Sequence, residues 1–316
     1  MTTLLDEIAS VHALLGTPGV GYVAAGAALH ATTKTGLSLS ELLGQPATEL
    51  LELFPAGMED AARTIGRCDA SSVGVHRRAL ERFYSAGGQA LLVTDADYPD
   101  GLRAILGRNA PPVVCVLGNV ELLKIALGGI VGARDAAAES LAYARSCAAW
   151  FTSEGAGVVS GAANGIDAIA HRTALNEGGS SVFVLPHGIL RYRGDELVRE
   201  ALETGHAALV SEFAPEARWA SHAALMRNRT IAALSRILCV FEARRTGGSI
   251  RTAEAGLAQA KPVLVHCLPG DWRVEQRLVT SGARTLPVDD EAAMREALDT
   301  AWHSERPRRK EQQELF

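Results

Sequence analysis

Three short apolar runs, separated by segments with helical spacing, constrain this chain more than any other feature of its sequence. The runs are 129–132, 157–161 and 181–185, and each ends at a glycine or is closed by a proline. Strands that alternate with helices at this spacing form a parallel sheet with helices on its faces. The stretch therefore predicts an α/β fold with a Rossmann-like parallel or mixed sheet and helices on both faces.

Polar residues and glycines follow the ends of these predicted strands. Arg134 comes after the first run, and Ser160 ends the second run just before Gly161 and Gly165. In parallel sheets, ligands bind beyond the carboxyl ends of the strands, where helix N-termini present N–H groups. Glycine permits the backbone to approach a ligand closely there. An anion site at this edge of the sheet is the first functional prediction.

Composition and charge exclude several classes of protein. At 316 residues the chain is long enough for about two domains. Its hydrophobic fraction of 47% and charged fraction of 21% are ordinary for a globular protein and exclude wholesale disorder. The net charge of −5 argues against a basic coat over the whole surface, but it is compatible with a local basic groove.

Cysteine usage and hydropathy predict a cytoplasmic protein without metal, cofactor or membrane partner. The five cysteines are scattered, and none forms the C-x-x-C spacing of a zinc site. The N-terminus lacks a basic segment followed by an apolar core, and no apolar stretch is long enough to span a bilayer.

The first 88 residues are predicted to form a small all-helical domain of the SAM or helix-hairpin-helix type. A helical segment ends at Thr17, and the turn 18–21 reads Pro-Gly-Val-Gly. In a helix-hairpin-helix unit, such turn amides contact phosphates without reading sequence; a plain connection between helices is the alternative. Residues 89–302 are predicted to form the sheet-containing core, and the charged segment 303–316 a flexible tail.

Short motifs stand in a fixed order along the chain. They are Asp97-Tyr98-Pro99, Pro111-Pro112, Leu117-Gly118-Asn119, Ile130–Arg134, Ser160–Asp167, Ser211-Glu212, Arg227-Asn228-Arg229 and Gly248-Ser249. Together they resemble the DprA/Smf family, bacterial proteins that bind single-stranded DNA and load the recombinase RecA. The resemblance covers about residues 10–290.

The resemblance implies a non-enzymatic, homodimeric protein that loads RecA onto single-stranded DNA in recombination and in the natural transformation of competent cells. Arginine side chains suit phosphate contacts and stacking on unpaired bases, although each could instead brace the fold. A helix is predicted over 227–234. The residues expected to form one DNA-binding groove are Gly132, Ala133, Arg134, Ser160, Gly161, Asn164, Gly165, Arg227, Asn228, Arg229, Gly248 and Ser249.

The sequence also departs from the family pattern. Ala133 replaces the hydroxyl residue of the family's Gly-Ser/Thr-Arg, and Ala224 stands where an aromatic residue usually precedes Arg-Asn-Arg. The winged-helix domain of many members is not expected in this sequence. Trp219 and His222 lie just upstream and could offer a stacking surface, with burial of the tryptophan as the alternative.

An enzymatic function is the alternative prediction. The segment 246–254 partly matches Pro-Gly-Gly-x-Gly-Thr-x-x-Glu, the signature of related phosphoribohydrolases that cleave cytokinin nucleotides, and Glu254 would be the active-site glutamate. Three of the fixed positions differ, because Thr246, Ile250 and Arg251 replace Pro, Gly and Thr. Asp167 and His171 lie four residues apart on one helix face, but an early-helix carboxylate stabilised by the helix dipole explains Asp167 without catalysis. No catalytic residue is therefore predicted.

The last five residues, 312–316, read Gln-Gln-Glu-Leu-Phe. They match the Gln-x-x-Leu-Phe form of peptides that dock on the bacterial sliding clamp. The resemblance implies that Gln312 anchors by hydrogen bonds while Leu315 and Phe316 fill an apolar pocket. Two large apolar residues at the end of a polar tail otherwise have no evident reason to be exposed, unless Phe316 folds back on the body.

Overall fold

The structure is a computed structural model that describes residues 4–53, 59–267, 272–287 and 290–304. The strands are β1 (Gly88–Leu92), β2 (Val113–Gly118), β3 (Leu127–Gly132), β4 (Gly157–Ser160), β5 (Ser181–Val184), β6 (Ala207–Ser211), β7 (Ile237–Phe241), β8 (Val263–His266) and β9 (Arg284–Thr285). The helices are α1 (Leu4–Leu15), α2 (Tyr22–Thr35), α3 (Leu39–Leu42), α4 (Ala47–Leu53), α5 (Glu59–Gly66), α6 (Val73–Ser85), α7 (Asp100–Leu106), α8 (Ala138–Ser153), α9 (Ile166–Asn176), α10 (Glu196–Glu203), α11 (Ser221–Leu234), α12 (Gly248–Ala258), α13 (Trp272–Thr280) and α14 (Glu291–His303).

Within these described ranges, nine strands form one mixed sheet in the order β1-β2-β6-β5-β4-β3-β7-β8-β9. β2 runs antiparallel to both β1 and β6, while the neighbours from β6 through to β9 are parallel. This arrangement confirms the predicted Rossmann-like sheet. The chain proceeds from β3 outward to β6 and then returns to β7 on the other side of β3, so the strand order reverses between β3 and β7.

Helices cover both faces of the sheet, which is why its central strands read as continuous apolar runs. Every residue of β4, β5, β6, β7 and β8 is buried. On one face, Phe151 of α8 and Trp302 of α14 pack over β3 and β7. On the other face, Val198 of α10, Ile231 of α11 and Ala253 of α12 pack against the sheet. A fully buried side chain as large as Phe151 contributes about 1.5–3 kcal/mol.

The segment before β1 is helical, as predicted, and packs beside β1 and β2. Ile8 and Leu14 of α1 and Phe83 of α6 are fully buried in an apolar cluster that continues into β2. The hydroxyl of Tyr22, on α2, donates a hydrogen bond to the carbonyl oxygen of Glu212 at 3.4 Å. None of the helices bounded above has the length and apolar character needed to cross a membrane.

Candidate nucleic-acid interface

A pocket of about 370 Å³ opens at the carboxyl ends of β3 and β7, where the strand order reverses. Its walls are the segment 131–135 after β3, the middle of α11, and the segment 244–252 that follows β7 and begins α12. We call it the switch-point pocket. Ligands of open parallel sheets bind at this position because the connections on either side of it diverge and leave a crevice.

Seven of the twelve predicted groove residues line the switch-point pocket. They are Gly132, Ala133, Arg134, Arg227, Asn228, Gly248 and Ser249. Asp167, Arg244, Thr246 and Thr252 also line it. The structure therefore places three separate stretches of sequence around one pocket. The order of the motifs along the chain could not show that they meet.

Arg227 provides a buried cation in the wall of this pocket. The residue is 7% exposed, and its Nε is buried without a hydrogen-bond partner in the part of the chain that the structure describes. A Cβ at Gly161 would collide with its guanidinium, so the glycine makes room for the side chain. Burial lowers the pKa of Arg227, and the charges of Asp167 and Glu212 oppose this shift. The guanidinium nevertheless remains charged at neutral pH.

Asp167 holds the loop after β4 rather than acting with His171. Its carboxylate accepts hydrogen bonds from the backbone N–H groups of Gly161 at 3.2 Å and Ala163 at 3.3 Å. Burial raises the pKa of Asp167, while the charge of Arg227 opposes the rise. The Nδ1 atom of His171 instead lies 2.7 Å from the hydroxyl of Ser181. These partners support the structural interpretation of Asp167 over a catalytic pair.

Ser160, Gly161, Asn164 and Gly165 of the β4–α9 turn do not line the pocket, but Ser160 and Gly165 support the segments around it. Ser160 is fully buried, and its hydroxyl donates to the carbonyl oxygen of Ile130. Gly165 adopts a φ of +75°, and a Cβ there would collide with the carbonyl oxygens of Ala133 and Arg134. Glycine thus lets α9 begin directly against the loop after β3. Asn164 is exposed.

Two exposed arginines stand at the opening of the pocket. Arg134 has no hydrogen bond or ion pair with any residue in the described ranges. Arg244, which the sequence analysis did not single out, pairs with Asp135 at 2.5 Å. Arg244 comes shortly after the end of β7, as Arg134 comes shortly after the end of β3. This shared position after a buried strand is the sequence signal that could have identified Arg244.

The N-terminus of α12 supplies backbone N–H groups to the same pocket. This helix of 11 residues begins at Gly248, and no side chain caps its first turn. Asn228 donates to the Gly248 carbonyl at 3.2 Å and Thr252 donates to it at 2.9 Å. These contacts fix the turn, and the partial positive charge of a helix N-terminus favours an anion there.

The structure does not bring Arg229 to the switch-point pocket. Its guanidinium lies 4.8 Å from the ring centre of Tyr22, on the side of α11 that faces the N-terminal helices. Its Nη2 atom is 3.8 Å from a carboxylate oxygen of Glu212. Because successive helical residues are about 100° apart, Arg227 and Arg229 project from nearly opposite sides of α11. Arg229 therefore does not lie in one groove with Arg134 and Arg227, contrary to the prediction.

Trp219, which precedes α11, is 56% exposed. His222 in the first turn of α11 is exposed as well. The structure thus decides between the two alternatives for the tryptophan in favour of an accessible ring, which is the condition for stacking on an unpaired base.

Glu254, the candidate catalytic residue of the enzymatic alternative, pairs with two arginines. Its carboxylate lies 3.0 Å from Arg251 and 2.6 Å from Arg277, and it does not line the switch-point pocket. Among the described residues, no group of three or more His, Cys, Asp or Glu side chains is placed to hold a metal ion. The proposed clamp-binding residues Gln312, Leu315 and Phe316 lie outside the described residues.

Comparison with known proteins identifies the family. Residues 89–301 match the family model of DNA recombination-mediator protein A. The chain belongs to this family. A DprA-type protein of Mycobacterium tuberculosis is 30% identical over 263 residues, which cover 76% of this chain and 67% of that protein.

Two further relatives match over shorter stretches. DNA processing protein DprA of Streptococcus pneumoniae is 29% identical over 56% of this chain and 62% of its own length. Protein Smf of Escherichia coli is 33% identical over 57% of this chain and 48% of its own length. The chain thus spans between 48% and 67% of the length of these three relatives.

Solved structures of family members share the fold. DprA from Streptococcus pneumoniae superposes with a TM-score of 0.68 at 21% identity, covering 92% of this chain and 98% of that one. DNA processing protein A from Helicobacter pylori, whose structure was described for its single-stranded DNA binding mode, gives a TM-score of 0.58 at 22% identity. It covers 68% of this chain and 97% of its own.

Proposed function

We propose that the switch-point pocket binds the phosphates of single-stranded DNA. The observation that carries the proposal is Arg227, a buried guanidinium whose Nε has no hydrogen-bond acceptor among the described residues. The charges of Asp167 and Glu212 act on this guanidinium, but neither carboxylate accepts a hydrogen bond from its Nε. A phosphate oxygen in the pocket would accept a charge-assisted hydrogen bond from the guanidinium, which lines it.

Beside the Asp167 carboxylate, the surroundings of Arg227 supply further cations and donors that suit a phosphate. Arg134 and Arg244 lie at the opening, and the N-terminus of α12 directs backbone N–H groups into the same space. Such donors contact the backbone of a nucleic acid and do not read base edges. We therefore expect binding that depends little on sequence, with the exposed ring of Trp219 available for stacking on bases.

A salt titration tests this proposal. The wild-type protein, an Arg134→Ala/Arg244→Ala variant and an Arg199→Ala control are titrated with fluorescent single- and double-stranded oligonucleotides at several salt concentrations. Arg199 is an exposed residue of α10 that does not line the switch-point pocket. For single-stranded DNA, the double variant should lower the magnitude of the log–log salt slope by about 1.4, since each phosphate contact contributes about 0.7.

The control should match the wild type in affinity and slope, and the wild type should prefer the single strand. Wild-type affinity and slope in the double variant would contradict the assignment of the pocket.

The proposal extends to the role that the family resemblance implies. We infer a homodimer that loads RecA onto single-stranded DNA in recombination and natural transformation, with residues 1–88 as a helical domain, 89–302 as the DNA-binding core and 303–316 as a tail. RecA's ATP hydrolysis on a strand coated with single-strand-binding protein reports loading. Addition of this protein should shorten the lag, and an unchanged lag would contradict the loading role.

The tail is proposed to tether the protein to the sliding clamp through Gln312, Leu315 and Phe316, on the strength of the sequence match alone. Deletion of residues 312–316 should abolish co-migration with the clamp in gel filtration and leave DNA affinity unchanged. Continued co-migration would contradict the tether.

A further inference from the structure

A second cavity, of about 490 Å³, lies between the N-terminal helices and α11. Its walls are the first turn of α2, α5, the turn at 107–109 and the side of α11 that carries Met226 and Arg229. We call it the interdomain cleft. It faces away from the switch-point pocket, because Arg227 and Arg229 project about 200° apart around the helix axis.

Arg229 contributes buried donors to this cleft that no described residue accepts. Its Nε and Nη2 atoms are buried and have no hydrogen-bond partner in the described part of the chain. The 3.8 Å separation from the carboxylate of Glu212 is too long for a hydrogen bond. Stacking over Tyr22 fixes the guanidinium plane without using its N–H groups. An oriented cation therefore lines the cleft, and the buried carboxylate of Glu212 lies behind it.

Arg108 adds a second cation from the turn at 107–109. It is exposed, lines the cleft, and forms no hydrogen bond or ion pair within the described ranges. The neighbouring Asn109 is exposed and lines the cleft as well. The carboxylate in the lining, Asp60, pairs with Arg63 at 3.3 Å and is almost fully exposed. The chemistry of the cleft thus favours an anion.

α11 separates the cleft from the switch-point pocket by one helix, which is about 10 Å across. Leu225, which is 53% exposed, lies about 40° from Arg229 around the helix axis and so on the same side of α11 as the cleft. A strand of nucleic acid has phosphates at regular short intervals, so a few nucleotides suffice to cross one helix. The exposed apolar side chain of Leu225 beside the cleft offers contact to a sugar or base.

We propose that the interdomain cleft binds a second phosphodiester of the strand held in the switch-point pocket, with Leu225 in contact with the strand beside the cleft. This inference rests on the proposed function and adds the N-terminal helices to the DNA path. Arg108 and Arg229 would be the phosphate contacts of the second site.

The test compares wild type, Arg108→Ala, Arg229→Met and the Arg199→Ala control in salt titrations with a fluorescent dodecamer of deoxythymidine. Arg108→Ala is the primary variant, since an exposed side chain without a partner is dispensable for folding. It should weaken binding about three- to tenfold and lower the magnitude of the salt slope by about 0.7. Arg199 lines neither cavity, so its variant should match the wild type.

A dodecamer that contains 4-thiothymidine supplies a second readout by photo-crosslinking to the wild-type protein. Peptides that contain 21–24 or 222–226 should carry adducts in addition to those of the switch-point pocket. Wild-type slopes in both Arg108→Ala and Arg229→Met, or adducts confined to the switch-point pocket, would overturn the cleft proposal alone. A wild-type protein that binds no single-stranded DNA would overturn the proposed function and this inference together.

Discussion

Lys261 and Arg227 are cations at opposite edges of the same sheet, and each is 7% exposed. Lys261, at the amino edge just before β8, donates to the carbonyl oxygens of Ala233 at 3.0 Å and Ser235 at 2.6 Å. It thereby satisfies carbonyl groups where α11 ends. Arg227, at the carboxyl edge, lines a pocket and has a buried Nε without an acceptor among the described residues.

The difference separates a cation that stabilises the fold from one that we propose is placed for a ligand. Burial alone does not distinguish the two, because both side chains are equally hidden. The partners do: the Lys261 ammonium group donates to two backbone carbonyl oxygens, whereas the Nε of Arg227 has no acceptor among the described residues. Each of the following predictions tests whether this contrast holds.

Lys261→Met should have the largest effect, and it should act on stability. The variant leaves the carbonyl oxygens of Ala233 and Ser235 without their charged donor, which costs about 3 kcal/mol of unfolding free energy. Urea denaturation measures this loss. The DNA affinity of the folded variant should equal that of the wild type. A variant as stable as the wild type would show that the Lys261 hydrogen bonds are not structural, which would break the contrast.

Arg227→Met should act mainly on binding. Loss of a charge-assisted contact to phosphate lowers affinity for single-stranded DNA by about 10- to 100-fold, measured by anisotropy. The unfolding free energy should fall less than in Lys261→Met, because buried Asp167 keeps its hydrogen bonds from the N–H groups of Gly161 and Ala163 when the guanidinium is lost. A stability loss as large as that of Lys261→Met, with DNA affinity retained, would show that Arg227 stabilises the fold and does not bind DNA.

The pH dependence of stability tests the charge state of Arg227. Burial, and next the charge of Arg227, lower the pKa of His171 to about 3. The unfolded chain, with a histidine pKa near 6.5, therefore binds the proton more readily. Above about pH 6.5, protonation of His171 does not affect the free energy of unfolding. At pH 5 it lowers this free energy by roughly 2 kcal/mol.

Arg227→Met should raise the pKa of His171 and reduce this acid loss. Denaturation at pH 7.5 and pH 5.0 measures the change, with Arg199→Ala as the control. Buried His12, whose pKa burial also lowers to about 3, should contribute equally in all three proteins. An identical acid loss in Arg227→Met and the control would show that Arg227 does not act on His171.

The ion pair at the opening of the pocket should give the smallest effect. Asp135→Ala frees Arg244 from its 2.5 Å partner and removes a carboxylate that competes with phosphate. Exposed ion pairs are weak, so DNA affinity should rise by less than about fivefold, whereas Arg244→Ala should lower it. Weaker binding in Asp135→Ala would mean that the carboxylate positions Arg244 for the ligand.

The sequence predicted the sheet and the position of the pocket because both follow from local patterns. Buried parallel strands read as apolar runs, and Gly132 and Arg134 stand where such a run ends. The direction of Arg229 could not be predicted in this way. A helix was expected to begin at Arg227, where both arginines would project near the sheet edge, but α11 begins at Ser221.

The earlier start of α11 places both arginines within regular helix, where their directions are fixed nearly opposite to each other. The N-cap position is Ala220, which makes no side-chain capping hydrogen bond, so the sequence carried no start signal there. The roles of Ser160 and Gly165 likewise depend on which carbonyl oxygens pack against them. These contacts form only when the strands are assembled into the sheet, so the motif alone does not predict them.

Thermal unfolding with and without an excess of a deoxythymidine dodecamer tests the contrast between the two cations most directly. A ligand that binds the folded state raises the melting temperature. The dodecamer should raise it equally for the wild type and Lys261→Met, although the variant starts lower, and should raise it little for Arg227→Met. An undiminished rise in Arg227→Met would contradict the claim that Arg227 holds the phosphate of bound DNA.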